Sequence, residues 1–135
     1  MRSNGMTLIE VLAVVVILGL LAATLTVGLS GKFGKARHEI ARTQIGQLVG
    51  AVELFQMEQK RLPSSSEGLQ ALSAAADASY YLEASKLQDP WGKPYLYVVP
   101  GPAGVPFEII TYGADGQPGG ESENADISSA ALGAE

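Results

Sequence analysis

The first side chain that could do chemistry is the carboxylate of Glu10, which stands at the head of an apolar segment. The run from Val11 to Gly31 has no charged residue, and the next charge along the chain is Lys32. A carboxylate in hydrocarbon is costly and is tolerated where it has a partner. Glu10 is therefore predicted to pair with a positive group that the apolar segment itself does not contain.

A second candidate lies towards the C-terminus, in the glycine-rich segment from Ala114 to Ile127. This segment has no basic residue, and its acids are Asp115, Glu121, Glu123 and Asp126. Flexible loops rich in oxygen suit Ca²⁺, which takes about six to eight ligands from carboxylates and backbone carbonyls. The spacing differs from an EF-hand, and a surface loop without a metal ion is the alternative.

The composition argues against an enzyme and against nucleic-acid binding. There is no cysteine, which excludes disulfides and cysteine nucleophiles, and the one histidine, His38, is expected to be a solvated helix residue. No nucleophile–base pair, phosphate loop or HExxH motif is present. The formal net charge of the chain is −5. The segment after Lys93 has no Lys or Arg, so it should repel nucleic acid.

The uncharged run is long enough to cross a membrane. At about 1.5 Å per residue it spans roughly 30 Å, which matches the hydrocarbon core of a bilayer. A signal anchor, or a signal peptide cleaved near Ala22-Ala23-Thr24, is the alternative, but it explains neither Glu10 nor the glycine before Met6. The positive-inside rule, taken alone, favours a cytoplasmic C-terminal part, because only Arg2 precedes the run whereas Lys32, Lys35 and Arg37 follow it.

The helix is predicted to continue as an amphipathic helix beyond the apolar run. One apolar stripe recurs at helical spacing and comprises Ala41, Ile45, Leu48, Val52, Phe55 and Leu62. Leu62 precedes Pro63 and should end the helix, while Thr7 could cap its start. The pattern predicts one helix from about Thr7 to Arg61, and a coiled coil is the alternative use of the stripe.

The rest of the chain predicts a small α+β domain. Ser64 and Glu67 form a capping-box pattern that should begin a short helix. Two strands are expected at 95–99 and 107–111, packed as a small antiparallel sheet on the long helix. Two prolines and a glycine predict a rigid turn over 89–95, and Trp91 could fill the gap beside it. Further core residues are expected to be Leu69, Leu72, Tyr80, Tyr81, Leu82 and Leu87.

These motifs carry a resemblance to a known family. The segment from Gly5 to Glu10 resembles the processing site of type IV prepilins and type II secretion pseudopilins. Three later blocks, at 68–72, 89–92 and 112–116, occur in the order found in the major, G-type pseudopilin of type II secretion. The resemblance extends over nearly the whole chain.

The resemblance implies four regions and a processing step. These are a leader over 1–5, a membrane and filament-core helix over 6–31, its amphipathic second half over 32–62, and a globular periplasmic region over 63–135. Cleavage would follow Gly5, and the new terminal residue, Met6, would be N-methylated. Its α-amine would then be the partner of Glu10 on a neighbouring subunit.

The resemblance also implies one Ca²⁺ ion in the acidic segment. The ligands carried over are the backbone carbonyls of Tyr112 and Glu123 and the side chains of Asp115 and Asp126. Some relatives have an additional acid where this chain has Ala125, and Asn124 or Glu121 could compensate.

The function implied is that of a structural subunit rather than an enzyme. Subunits would wait in the inner membrane as single-pass proteins and polymerise into a periplasmic pseudopilus that drives export of folded proteins. The implied partners are further copies of the chain, minor pseudopilins, a prepilin peptidase and an inner-membrane assembly platform, with no nucleic acid. The alternatives are a type IV pilin used in adhesion or DNA uptake, and an unprocessed membrane-anchored binding domain.

Overall fold

A computed structural model describes residues 4–133, apart from the side chains of 26–30. The chain divides between Gly34 and Lys35 into two compact units. Its helices and strands are α1 (Leu8–Gln59), β1 (Leu96–Val98), β2 (Glu108–Thr111), β3 (Ile127–Ser128) and α2 (Ser129–Leu132). Short 3₁₀ helices lie at Gly68–Ser73, Ala84–Leu87, Pro102–Gly104 and Ser122–Asn124.

The long helix α1 confirms the prediction from the sequence to within two residues at its C-terminal end. It begins directly after Thr7 and ends at Gln59. Lys60 then takes a left-handed conformation, with φ of 58°. Pro63 cannot donate a backbone hydrogen bond, and the residue before it avoids helical geometry. The helix therefore cannot extend past this point.

The N-terminal unit consists of the apolar part of α1. Its stretch Leu8–Leu25 has a mean hydropathy of 2.7, and all the side chains of that stretch are exposed. This is the one helix in the described part of the chain that is long and apolar enough to cross a membrane, a test that a signal sequence also passes. Exposed apolar side chains of this kind are stabilised by lipid or by packing against other apolar helices.

The C-terminal unit has its own core, built on the predicted stripe of α1. The side chains of Ala41, Ile45, Leu48, Val52 and Phe55 are all buried. Leu72, Tyr95 and Ile109 belong to the same core cluster. Burial of apolar area at about 25 cal/mol per Å² is the main force that holds this unit together.

The two predicted strands pair antiparallel as expected, and a third strand extends the sheet. The order is β1-β2-β3, and β2 is central. Tyr97 of β1 pairs with Ile109 of β2, while Thr111 of β2 pairs with Ile127 of β3. The expected loop from Ala114 to Ile127 therefore ends one residue earlier, at Asp126.

The capping box at Ser64 is confirmed, but it is followed by a 3₁₀ helix that begins only at Gly68. The Glu67 N–H donates to Ser64 Oγ at 3.2 Å, and the Ser64 N–H donates to Glu67 Oε2 at 2.9 Å. The structure that follows is a turn and a 3₁₀ helix from Gly68. The Arg61 guanidinium donates to both oxygens of Glu67, and this contact and the Ser64 N–H lower the pKa of Glu67 to about 2.

Two expectations about individual side chains are wrong. His38 is not solvated: its ring meets Trp91 edge-on with centroids 5.7 Å apart, and its Nε2 is buried. The turn that contains Trp91 places its indole against α1, and the indole covers the imidazole of His38. Tyr81 was expected in the core but is 37% exposed, because Tyr80 occupies the inward position beside Phe55.

Removing the buried side chain of Ile45 should destabilise the C-terminal unit. We expect Ile45→Ala to lower the free energy of unfolding by about 2–5 kcal/mol, since the site is fully buried and leaves a cavity. The control is Ile40→Ala on the same helix, where the side chain is 49% exposed. Fluorescence of Trp91, the only tryptophan, reports urea unfolding in detergent. Equal losses for the two variants would contradict this core assignment.

The Arg61–Glu67 pair should give the C-terminal unit an acid-dependent component of stability. Because the folded pKa of Glu67 is about 2, below its ordinary value of 4.5, this stabilisation is present above pH 4.5 and lost as pH falls towards 2. We expect Glu67→Gln to flatten this part of a plot of melting temperature against pH. Glu53→Gln, on the exposed face of α1, should leave the plot unchanged. A Glu67→Gln profile that parallels the wild type would count against the pairing.

Candidate functional site

Glu10 and Thr7 form a reciprocal capping box at the start of α1. The Thr7 N–H donates to Glu10 Oε2 at 2.9 Å, and the Glu10 N–H donates to Thr7 Oγ1 at 3.4 Å. The predicted cap by Thr7 is confirmed, whereas the part of Glu10 in the same motif was not foreseen. The pair satisfies two N–H groups at the helix start, and it places a negative charge where the helix dipole favours it.

The proposed cleavage position lies in exposed, non-helical chain. Gly5 and Met6 precede the first turn of α1, and Met6 is 68% exposed. A Cβ built on Gly5 would have no heavy atom within 4 Å. The peptide bond between Gly5 and Met6 is therefore open to a peptidase, while residues 1–3 of the predicted leader lie outside the described residues.

The four predicted calcium ligands lie at the ends of β2 and β3. Thr111 and Ile127 form the last pair of this antiparallel ladder, so Tyr112, directly after β2, and Asp126, directly before β3, lie at the same edge of the sheet. The Ala114 N–H donates to the Glu123 carbonyl at 2.9 Å, which brings the third ligand onto the same end of the sheet. Asp115 is next after Ala114 in the chain, so the geometry gathers all four residues into one region.

The close approach of the two sides of this loop depends on Gly113. Its φ is +69°, and a Cβ there would lie 2.6 Å from the Glu123 carbonyl oxygen. A side chain would therefore clash with backbone, so only glycine allows the start of the loop to lie against 123–125. The loop is shaped by its backbone as much as by its acids.

Each aspartate uses one oxygen within the loop. Asp115 Oδ1 accepts from the Gln117 N–H at 3.1 Å, and Asp126 Oδ2 accepts from the Gly119 N–H at 2.8 Å. The second oxygen of each has no hydrogen-bond partner among the described residues. Within the same residues, no group of three or more His, Asp and Glu side chains could hold a metal ion.

The donor set suits a hard cation even with two carboxylates. A carbonyl oxygen has two lone pairs, so the Glu123 carbonyl can accept from Ala114 and still face an ion. The free oxygens of Asp115 and Asp126 and the Tyr112 carbonyl are the oxygen ligands that Ca²⁺ prefers. The residues present therefore fit the ion that the resemblance implies.

A buried carboxylate that sequence reasoning missed supports this region. Asp89 is 6% exposed and accepts from the N–H groups of Trp91 and Lys93 and from Thr111 Oγ1, the last at 2.7 Å. The Gly113 N–H in turn donates to Thr111 Oγ1 at 3.3 Å. The Asp–Pro–x–Gly pattern signals the turn, whereas the contact with Thr111 spans 22 positions and has no local signal.

The charge of Asp89 contributes to a raised pKa of its buried neighbour Tyr95. Burial, and secondarily this charge, raises the pKa of Tyr95 well above its usual range. The Tyr95 hydroxyl stays neutral and donates to Gln44 Oε1 at 2.6 Å. This hydrogen bond fastens the turn region to α1 inside the C-terminal unit.

Comparison with known proteins gives two family matches. Residues 28–130 match the model for type II secretion system (T2SS) protein G, and residues 1–26 match the prokaryotic N-terminal methylation motif. The fold and this match define the class: a protein with an N-terminal methylation motif on an apolar helix that is long enough to cross a membrane. The chain belongs to the protein G family of the type II secretion system and is a pseudopilin.

Individual relatives agree with the family match. The chain is 38% identical to the type II secretion system core protein G of Vibrio cholerae, over 93% of this chain and 90% of that protein. It is 35% identical to the Pseudomonas aeruginosa protein of the same name, over 93% and 94%. The major pseudopilin of enterohaemorrhagic Escherichia coli, a solved structure, superposes with a TM-score of 0.57 at 25% identity, covering 75% of this chain and 92% of that one.

Proposed function

We propose that this pseudopilin is held in the inner membrane by its apolar helix, cut after Gly5, N-methylated at Met6, and then polymerised through that helix into a periplasmic pseudopilus. The observation that carries this proposal is the capped carboxylate of Glu10 at the head of a helix whose apolar side chains are all exposed over Leu8–Leu25. The filament serves export of folded proteins across the outer membrane.

The exposed apolar surface supports storage in lipid followed by packing against other copies. Leu8, Val11 and Leu12 are each exposed to water in the single chain, as are the apolar residues that follow them up to Leu25. A bundle of the same helices replaces lipid contacts with helix contacts, so extraction from the bilayer need not expose this surface to water. A helix of this composition favours neither state strongly, which suits a subunit that must leave the membrane.

The charge of Glu10 supports pairing with the terminal amine of a neighbour. Its Oε2 is used by the Thr7 N–H, and Oε1 has no hydrogen-bond partner among the described residues. Cleavage after Gly5 creates one positive group per subunit, on Met6. A pair made between subunits fixes the axial position of one helix against the next, which is a well-attested use of a polar group among apolar helices.

The orientation and partners follow from the same processing scheme. The globular region, residues 63–135, lies in the periplasm, although the charges around the apolar run alone favour the opposite orientation. The peptidase that cuts at Gly5, an inner-membrane assembly platform and minor pseudopilins act on or beside the subunit. The chain is a structural component with no catalytic role and no nucleic-acid partner.

The acidic loop holds one Ca²⁺ ion in this proposal. Tyr112 and Glu123 supply backbone carbonyls, and Asp115 and Asp126 supply side-chain oxygens. The ion neutralises the carboxylates and ties the ends of β2 and β3 together, so the loop is ordered before subunits assemble.

Substitution of Glu10 should separate its two contributions. Glu10→Gln keeps a side-chain oxygen that can cap Thr7, but it removes the charge, whereas Glu10→Ala removes both. We expect both variants to fail to form ordered filaments, because the amine partner needs the charge, while the C-terminal unit stays folded. Electron microscopy of pseudopili scores assembly, and Trp91 fluorescence scores folding. Thr7→Ala, which weakens the cap and keeps the charge, is the matched control and should still assemble.

Normal filaments from Glu10→Gln would show that capping alone suffices and would overturn the charge-pairing role. Loss of assembly in Thr7→Ala together with normal assembly in Glu10→Gln would point to the same conclusion.

Removing the proposed calcium ligands should abolish a calcium-dependent gain in stability. We expect CaCl₂ to raise the melting temperature of the full-length chain in detergent, and Asp115→Asn and Asp126→Asn each to remove most of that rise. Asp77→Asn makes the same chemical change at an exposed residue outside the loop and should respond like the wild type. Melting that is the same in CaCl₂ and in EDTA would contradict calcium binding while leaving filament assembly to be judged separately.

A further inference from the structure

The turn at 89–93 brings a cation against the acidic loop. The Lys93 ammonium donates to the Ala114 carbonyl at 2.9 Å, and a Cβ built on Gly116 would lie 2.6 Å from Nζ. Lys93 is half-buried, and among the described residues no carboxylate lies within ion-pair distance of its ammonium. The positive charge of Lys93 therefore lies against the loop and is not paired with a carboxylate among the described residues.

The backbone of Lys93 is held on both sides. Its N–H donates to Asp89 Oδ1 at 2.9 Å, and its carbonyl accepts from the Asp89 N–H at 2.7 Å. Asp89 is itself buried and bonded to Thr111. The backbone of Lys93 is therefore fixed. The conformational entropy lost when its ammonium binds Ala114 is little more than that of ordering the side chain itself.

The contact fixes the residue directly before a proposed ligand. The Ala114 N–H donates to the Glu123 carbonyl, and the Ala114 carbonyl accepts from Lys93. Both peptide groups of Ala114 are thereby bonded, and Asp115 follows from this held position. The start of the loop has this support without any metal ion.

We propose that Lys93 is a tethered cation of the acidic loop, which holds the start of the loop in place without metal and weakens the binding of Ca²⁺. The proposal rests on the calcium role of the loop given above. An ammonium beside the site offsets part of the carboxylate charge that attracts a divalent ion, and it repels that ion directly. Lys93 therefore lowers the affinity of the loop for calcium and keeps the start of the loop ordered when calcium is scarce.

The test compares Lys93→Met with Lys86→Met in the full-length chain in detergent. Both variants lose one positive charge, and Lys86 is exposed in the 3₁₀ helix Ala84–Leu87, away from the loop. Calorimetric titration with CaCl₂ should give roughly tenfold tighter binding for Lys93→Met, the order expected when one unit charge is removed beside a partly exposed site. Lys86→Met should stay within about twofold of the wild type.

A second measurement reports the tether without calcium. In EDTA, hydrogen exchange of the peptide amides over 113–115 should be faster in Lys93→Met than in the wild type and unchanged in Lys86→Met. Lys93→Gln, which keeps an N–H donor without the charge, replaces Lys93→Met if that variant fails to fold, and it should also bind calcium more tightly.

Each outcome decides the proposal. Calcium binding by Lys93→Met but not by the wild type would support it strongly. Equal affinities in the wild type and Lys93→Met, or weaker binding by Lys93→Met, would overturn it and leave calcium binding by the loop intact. If neither protein binds calcium, both the tethered-cation proposal and the calcium role fall, whereas filament assembly through Glu10 is unaffected.

Discussion

The structure depends on one electrostatic constraint, a carboxylate at the head of an apolar helix. The capping box with Thr7 satisfies part of the hydrogen-bonding demand of Glu10, but among the described residues no cationic side chain pairs with it. A local N–H stabilises a carboxylate, and a nearby positive group stabilises its charged form further. The positive group that we propose for this role is the amine that processing would create on Met6 of a neighbouring subunit. In the proposed scheme, a single side chain would thus link cleavage, membrane exit and axial register.

The same helix α1 meets two different packing requirements along its length. Its first part exposes apolar side chains all round, which is typical of a helix surrounded by lipid or by other helices. Its second part buries one stripe, with Ile45 and Val52 fully covered, and keeps polar residues on the remaining faces. The C-terminal unit thus has a complete core of its own, and the demand for partners is concentrated in the N-terminal unit.

The sequence allowed prediction of the features that depend on local pattern. The bounds of α1, its buried stripe, the capping box at Ser64 and the first two strands all follow from periodicity or short-range hydrogen bonding. Strand β3 was missed because it is two residues long and follows a glycine-rich loop. The contacts of Asp89 with Thr111 and of Lys93 with Ala114 were missed because they join positions more than 20 residues apart. The apolar N-terminal helix follows from composition, whereas the capping role of Glu10 was missed although Thr7 and Glu10 have the spacing of a capping box.

The central claim is that Glu10 of one subunit pairs with the Met6 amine of another. Solid-state NMR on filaments mixed from two preparations, one with ¹⁵N-labelled methionine and one with ¹³C-labelled glutamate, measures this contact between subunits alone. The account predicts dipolar dephasing between the Met6 amine and the Glu10 carboxylate that corresponds to a separation of about 4 Å or less, as in an ion pair. No dephasing between differently labelled subunits in ordered filaments, or an intact leader still attached to Met6, would contradict it.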